Sequence, residues 1–224
     1  MVLLFDLDGV LVSDGKGDTK IGKEILIVHP ELGNKLKGME VPVGIVTHRS
    51  RQEAKQIMSV LRFEGNTSLG VFTGNDIAFR NPTLKRLISL VVSGARKSRI
   101  IPYLVAQKGI DPADIVFIDD RKENAKDMYS AGIGLAVHVP AARFLDNDQV
   151  LTFDPDRLIN EIQSWQEQKS RDTGQFRKLI SLEAEYFPKT SEMFSGIEMT
   201  ESGVQVFQRV RKIRKVLNGR KKKV

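Results

Sequence analysis

The chain contains no cysteine, so disulfides and a Cys-ligated zinc site are both excluded. That composition fits a reducing compartment. Long apolar runs are also missing. None approaches the roughly 20 residues that a membrane-spanning helix requires, and the first apolar segment opens at Val2, which leaves no space for a cleaved leader. The expectation is a soluble, cytoplasmic protein with no transmembrane segment. Acidic residues are absent from Phe207 to Val224, where nine Lys and Arg stand together. Setting those nine aside turns the net charge of +7 into −2 over residues 1–206. The high pI of about 9.6 therefore belongs to the tail and says little about the rest. The 224 residues suffice for one domain with a sizeable core and an appendage.

What is present begins with Asp6-Leu7-Asp8-Gly9, which follows the apolar run Val2–Phe5. Two carboxylates one residue apart repel each other, and a bound divalent cation offsets that repulsion. Hard oxygen ligands suit Mg²⁺. A solvated Asp-x-Asp-Gly turn has the same local pattern, so other segments must decide. Val43–Val46 is a second apolar run, ending on the hydroxyl of Thr47. Ile115–Ile118 is a third, ending on Asp119 and Asp120. Strands buried on both faces of a parallel sheet read as continuous apolar segments. Ligands of such sheets gather beyond the carboxyl ends of the strands. Asp6, Asp8, Thr47, Asp119 and Asp120 are thus expected to meet in one crevice.

With these residues in view, the chain resembles the haloacid dehalogenase (HAD) superfamily over about residues 1–140. Phe5-Asp6-Leu7-Asp8-Gly9-Val10-Leu11 is similar to its first motif, Thr47 in Ile45–Ser50 to its second, and Phe117–Asn124 with Ala131-Gly132-Ile133 to its fourth. The third motif is a lone lysine. Lys97 opens a helical segment ending at Lys108-Gly109, just before the strand that carries Asp119, and is preferred over Arg96 and Lys108.

The resemblance implies a Mg²⁺-dependent phosphatase in which Asp6 attacks phosphorus and forms an aspartyl-phosphate. It implies metal ligation by the Asp6 carboxylate, the Asp8 backbone carbonyl and the Asp119/Asp120 pair, with Asp120 favoured as the direct ligand. Lys97 would screen Asp6 against the incoming phosphate, and Thr47 would donate to the phosphoryl oxygens. Asp8 would serve as general acid and then general base. Its presence argues for phosphate-ester hydrolysis. His48, Arg49 and Asn124 are candidate substrate-binding residues. His48 and Arg49 read equally well as loop residues facing solvent, and Asn124 as orienting the metal shell or simply polarising the start of a helix. His29 and His138 read as structural.

The alternation of runs and breaks predicts an α/β fold: a doubly wound, Rossmann-like parallel sheet with helices on both faces. Helices are expected over Pro30–Lys37, from the Ser50–Glu53 capping box to about Arg62, from Asn81-Pro82 to Gly94, over Lys97–Lys108 and over Asn124–Ser130. Leu69–Thr73 and Gly134–Val139 read as strands. The gaps between motifs are short, which predicts a small or absent cap and an open site.

Residues 141–224 are expected to form a mainly helical C-terminal extension beside the catalytic core of residues 1–140. A helix is predicted from Asp154-Pro155-Asp156 to Gln168 with Trp165 on its apolar stripe, and another over Phe176–Tyr186, followed by a loop to Gly196. Beyond Gly203, Val204, Phe207, Val210, Ile213 and Leu217 make an apolar helical face with a basic remainder. The segment 207–224 has three readings: a nucleic-acid contact, an anionic membrane surface, or a helix packed on the domain with a solvated Lys-rich end. The alternatives to a simple phosphomonoesterase are a nucleic-acid-end phosphatase guided by this tail and a low-turnover binding protein of HAD fold.

Overall fold

Four short apolar segments are buried along their whole length: β1 (Val2–Phe5), β3 (Val43–Val46), β5 (Ile115–Asp119) and, but for its last residue, β6 (Leu135–His138). With β4 (Gly70–Phe72) and β9 (Lys178–Ser181) they form a six-stranded sheet in the order β4-β3-β1-β5-β6-β9. Every pairing in it is parallel. The computed structural model describes residues 1–13, 24–49, 51–61, 69–73, 76, 96–145, 148–172 and 176–198.

Alternate residues of the strands point to opposite faces, and each face meets its own helices. Leu3, Phe5, Val43, Ile45, Val116, Ile118 and Val137 pack with α1 (Leu32–Lys37), α2 (Arg51–Val60) and α5 (Pro155–Arg171). Val2, Leu4, Val46, Phe72, Ile115, Phe117 and Ala136 pack with α3 (Ile101–Lys108) and α4 (Lys122–Ser130). The fold is a doubly wound α/β sheet. From β1 the chain first steps outward through β3 to β4, then crosses back to β5 and proceeds the other way through β6 to β9. This reversal puts a crevice at the carboxyl ends of β1, β3 and β5.

Helix α5 shows how the sequence writes an element. Asp154 caps it by accepting the Asp156 N–H at 2.9 Å, Pro155 occupies the first turn, and Lys169 and Arg171 sit at its carboxyl end. Its stripe of Leu158, Ile162 and Trp165 is fully buried. Trp165 lies against Gly134, where an added Cβ would come within 2.5 Å of the indole and 2.2 Å of the Ala113 carbonyl oxygen. Only a glycine lets the chain enter β6 so close to that ring. Helix α3 follows a 3-10 turn over Lys97–Ile100 and ends on Gly109, whose φ of 64° closes it in the left-handed region.

The stretch beyond residue 140 departs from the expected helical extension. Its described part holds α5 and five strands: β7 (Arg143–Phe144), β8 (Gln149–Thr152), β9, β10 (Glu185–Pro188) and β11 (Phe194–Glu198). Phe176–Tyr186, expected as a helix, contributes β9 and the start of β10, and the expected loop to Gly196 contains a 3-10 turn and β11. Phe176, Leu179 and Ile180 mimic helical spacing. Instead Leu179 packs into one face of the sheet and Ile180 into the other, because β9 is the edge strand of a sheet covered on both sides.

Strands β10, β8 and β7 make a small antiparallel sheet, and β11 pairs antiparallel with β2 (Glu24–Leu26). Leu26, Val28, Ala142, Phe144, Val150 and Met193 form a separate apolar cluster there. The cluster sits on the loop after β1, where Val28 N–H donates to the Leu11 carbonyl and Ala142 N–H to that of Gly9, both at 2.9 Å. Ser50, residues 14–23, the helix expected from Asn81 to Gly94 and the basic segment 207–224 lie outside the described residues. No helix among the described residues is long and apolar enough to cross a membrane.

Candidate active site

Asp6 follows directly on β1, and its backbone N–H donates to the Ile118 carbonyl of β5 at 2.8 Å. That bond aligns Asp6 with Asp119, the last residue of β5. Thr47 follows β3 and donates its N–H to the Phe72 carbonyl of β4 at 2.9 Å. Strand register therefore delivers Asp6, Asp119 and Thr47 to one edge, and all three are buried.

Lys97 joins the two carboxylates. Its Nζ lies 2.6 Å from Asp6 Oδ1 and 2.8 Å from Asp119 Oδ2, with its side chain 1% exposed. The 3-10 turn that opens with Lys97 aims this side chain inward. Arg96 instead faces solvent and pairs with Asp127 at 3.5 Å, and Lys108 is exposed at the far end of α3. Asp119 is held further by Asn124, whose Nδ2 donates to both carboxylate oxygens at 3.0 Å, and by the Arg121 N–H at 2.8 Å. Asn124 thus orients a carboxylate at the start of α4. Arg121 contributes through its backbone while its side chain is exposed.

Asp120 completes the acidic group. Asp6, Asp119 and Asp120 each bring a carboxylate oxygen within 4.8 Å of the others. Hard anionic oxygens at this spacing are the donor set of a magnesium-type cation. Asp120 Oδ2 lies so near Gly9 that a Cβ there would stand 2.6 Å away, and Gly9 has a φ of 80°. Glycine at this point meets both demands, the left-handed backbone and the close carboxylate.

Burial pushes the Asp6 carboxyl up to about 8; Lys97 opposes this, and the carboxylates of Asp119 and Asp8 add to it. For Lys97, burial alone would lower the ammonium, but Asp6 and Asp119 outweigh it and raise it above the ordinary lysine value. Among the described residues, the cluster of Asp6, Asp119 and Asp120 is anionic and holds Lys97 as its internal cation.

Asp8 and Arg49 form a second pair beside it. Arg49 Nε and Nη2 donate to Asp8 Oδ1 at 2.8 and 2.6 Å. Arg49 is fixed locally as well, because its N–H donates to Thr47 Oγ1 at 3.2 Å. Burial disfavours the guanidinium charge, yet Asp8 more than offsets this and raises its pKa. His48 sits exposed between Thr47 and Arg49.

Sequence reasoning missed a third group along the same edge. Thr73, at the end of β4, donates its N–H and Oγ1 to Asp76 Oδ2 at 2.8 and 2.9 Å, and Arg51 Nη2 bonds both oxygens of Asp76. The signal was available: Leu69–Thr73 is an apolar run ending on a hydroxyl, like Val43–Thr47. His29 lies apart from the crevice, 3.2 Å from Thr152 Oγ1 and 4.6 Å, centroid to centroid, from the Phe153 ring. His138 meets Ser181 Oγ at 3.3 Å. Both link strands or loops of the scaffold.

No protein-family model matches the chain, and no curated protein matches it. Solved structures similar to it include three from Vibrio cholerae, Xanthomonas campestris and Streptococcus pneumoniae. A candidate 3-deoxy-D-manno-octulosonate 8-phosphate phosphatase from Vibrio cholerae is 20% identical with a TM-score of 0.36, over 61% of this chain and 64% of that one. A hypothetical protein from Xanthomonas campestris is 19% identical with a TM-score of 0.38, over 61% and 63%. In both cases the match spans less than two thirds of the other protein. A haloacid dehalogenase-like hydrolase from Streptococcus pneumoniae is 13% identical with a TM-score of 0.45, over 80% of this chain and 92% of that one.

Proposed function

We propose that the chain is a Mg²⁺-dependent phosphomonoesterase of the HAD type that works through an aspartyl-phosphate on Asp6. The observation that carries this reading is the meeting of Asp6, Asp119 and Asp120 within 4.8 Å, with Lys97 bridging two of them. Asp6, Asp120 and the Asp8 backbone carbonyl would hold the cation. When bound, it neutralises phosphoryl charge and keeps the carboxylates ionised.

The protein's own groups do the rest. An Asp6 oxygen forms the bond to phosphorus as the bond to the ester oxygen breaks. Asp8 gives that oxygen a proton. Water then attacks the aspartyl-phosphate, its proton passes to Asp8, and Asp6 is released with inorganic phosphate. Lys97 removes charge repulsion between Asp6 and the phosphate, and the Thr47 hydroxyl donates to a phosphoryl oxygen. Asn124 holds Asp119 on Lys97, so that Lys97 keeps its place.

Hydrolysis of p-nitrophenyl phosphate tests this. Turnover is expected with Mg²⁺, lost with EDTA, and reduced by at least on the order of 10³ in Asp6→Asn, since the covalent route then has no nucleophile. Metal-independent turnover, or full activity in the variant, would refute the reading.

A further inference from the structure

We propose that Arg49 is a positioning residue that acts through Asp8, not a contact to the substrate. The inference rests on the phosphatase reading and assigns a role within that site. Arg49 stands where a substrate-binding side chain is expected, two residues beyond Thr47. Its guanidinium is nonetheless turned onto Asp8, with a side chain only 12% exposed. Nε and Nη2 both take Oδ1, at 2.8 and 2.6 Å.

Two guanidinium donors converging on Oδ1 hold that oxygen more firmly than one donor can. A planar guanidinium sets direction as well as distance. Because the fork occupies Oδ1, proton transfer falls to Oδ2. The anchor is itself rigid: the Arg49 N–H donates to Thr47 Oγ1, and Thr47 is tied to β4 through Phe72. Asp8, by contrast, lies in the loop after β1 with its side chain 33% exposed. Arg49 thus carries the rigidity of β3 and β4 across the crevice to the catalytic carboxylate that lies in the loop after β1. A general acid must lie within hydrogen-bond reach of the leaving oxygen, and an unheld side chain spends less time there.

Leaving-group dependence distinguishes this role from substrate binding. p-Nitrophenolate departs without a proton, whereas phenolate is about as basic as a tyrosinate and needs one. The two esters differ little in shape. kcat/KM covers the steps up to departure of the leaving group and is the quantity to compare. In Arg49→Met, kcat/KM for phenyl phosphate is expected to fall on the order of tenfold further than for p-nitrophenyl phosphate, within the range that general acid catalysis supplies. In an Asp8→Asn background, adding Arg49→Met should change either value by no more than about twofold, because the two residues act as one unit.

Equal losses for the two esters would mean a direct substrate contact and overturn the proposal. So would no loss for either, or a full multiplicative loss in the double variant. Should Arg49→Met fail to fold, Arg49→Lys keeps the charge and most of the stem but loses the fork. It should shift the ratio of the two esters in the same direction, and an unchanged ratio contradicts the proposal. Wild-type protein that hydrolyses neither ester, or Asp6→Asn that hydrolyses both normally, removes the phosphatase reading itself and this inference with it.

Discussion

Lys97 and Asp6 show how single residues set the chemistry. A buried lysine bridging two carboxylates balances only part of the charge, since Asp6, Asp119 and Asp120 bring three acids to one ammonium. Burial is the main cause that favours the protonated form of Asp6, whose carboxyl rises from 3.8 to about 8, and the carboxylates of Asp119 and Asp8 add to it against the pull of Lys97. An acid raised by folding lends stability at low pH that is lost as pH climbs through its folded value. A cation binding the ionised carboxylate must displace that proton. Apparent Mg²⁺ affinity is therefore expected to rise from pH 6 to pH 8, by at most about tenfold per unit for one proton, and to level above about pH 8. Thermal-shift titrations at fixed ionic strength measure this, and a pH-independent affinity would contradict it. At this scale the sequence was legible where chemistry is local. Asp6-Leu7-Asp8-Gly9 and Asp119-Asp120 announce themselves by adjacency. The partnerships of Arg49 with Asp8, and of Asn124 with Asp119, span different segments and depend on rotamers, so no local pattern records them.

At the scale of elements, helix α5 holds the largest single buried side chain. Trp165 is fully buried against Gly134, and Lys169 reaches back to place its Nζ 5.3 Å from the indole centroid and 2.5 Å from Asp114. Trp165→Ala is expected to destabilise the protein by about 3–5 kcal/mol, the usual cost of emptying an aromatic site in a packed core. Urea unfolding of the metal-free protein would measure it, and a loss under about 1 kcal/mol would mean that α5 is not part of the core. The amphipathic stripe and the Asp154 cap made this helix readable from sequence. Strand β9 was not readable, because four residues are too few to separate a period of 2 from one of 3.6. Its identity as a strand comes from its place beside β6, where the register pairs Ala136 with Leu179 and Val137 with Ile180.

Across the whole molecule, residues far apart in the chain converge on one edge. Asp6, Thr47, Lys97 and Asp119 come from four separate segments, and the parallel sheet brings them together because β1 lies between β3 and β5. The C-terminal strands then pack on the loop that carries Asp8 and Gly9, so the site depends on both ends of the described chain. That convergence makes a cation site at Asp6 and Asp120, beside the Lys97-bound Asp119, the central claim. Mn²⁺, which takes the same oxygen ligands as Mg²⁺, reports on it directly through electron paramagnetic resonance. One Mn²⁺ per chain is expected to bind the wild-type protein, to be displaced by Mg²⁺, and to bind at least about tenfold more weakly to a folded Asp120→Asn variant. Equal Mn²⁺ binding by wild type and variant would contradict the account.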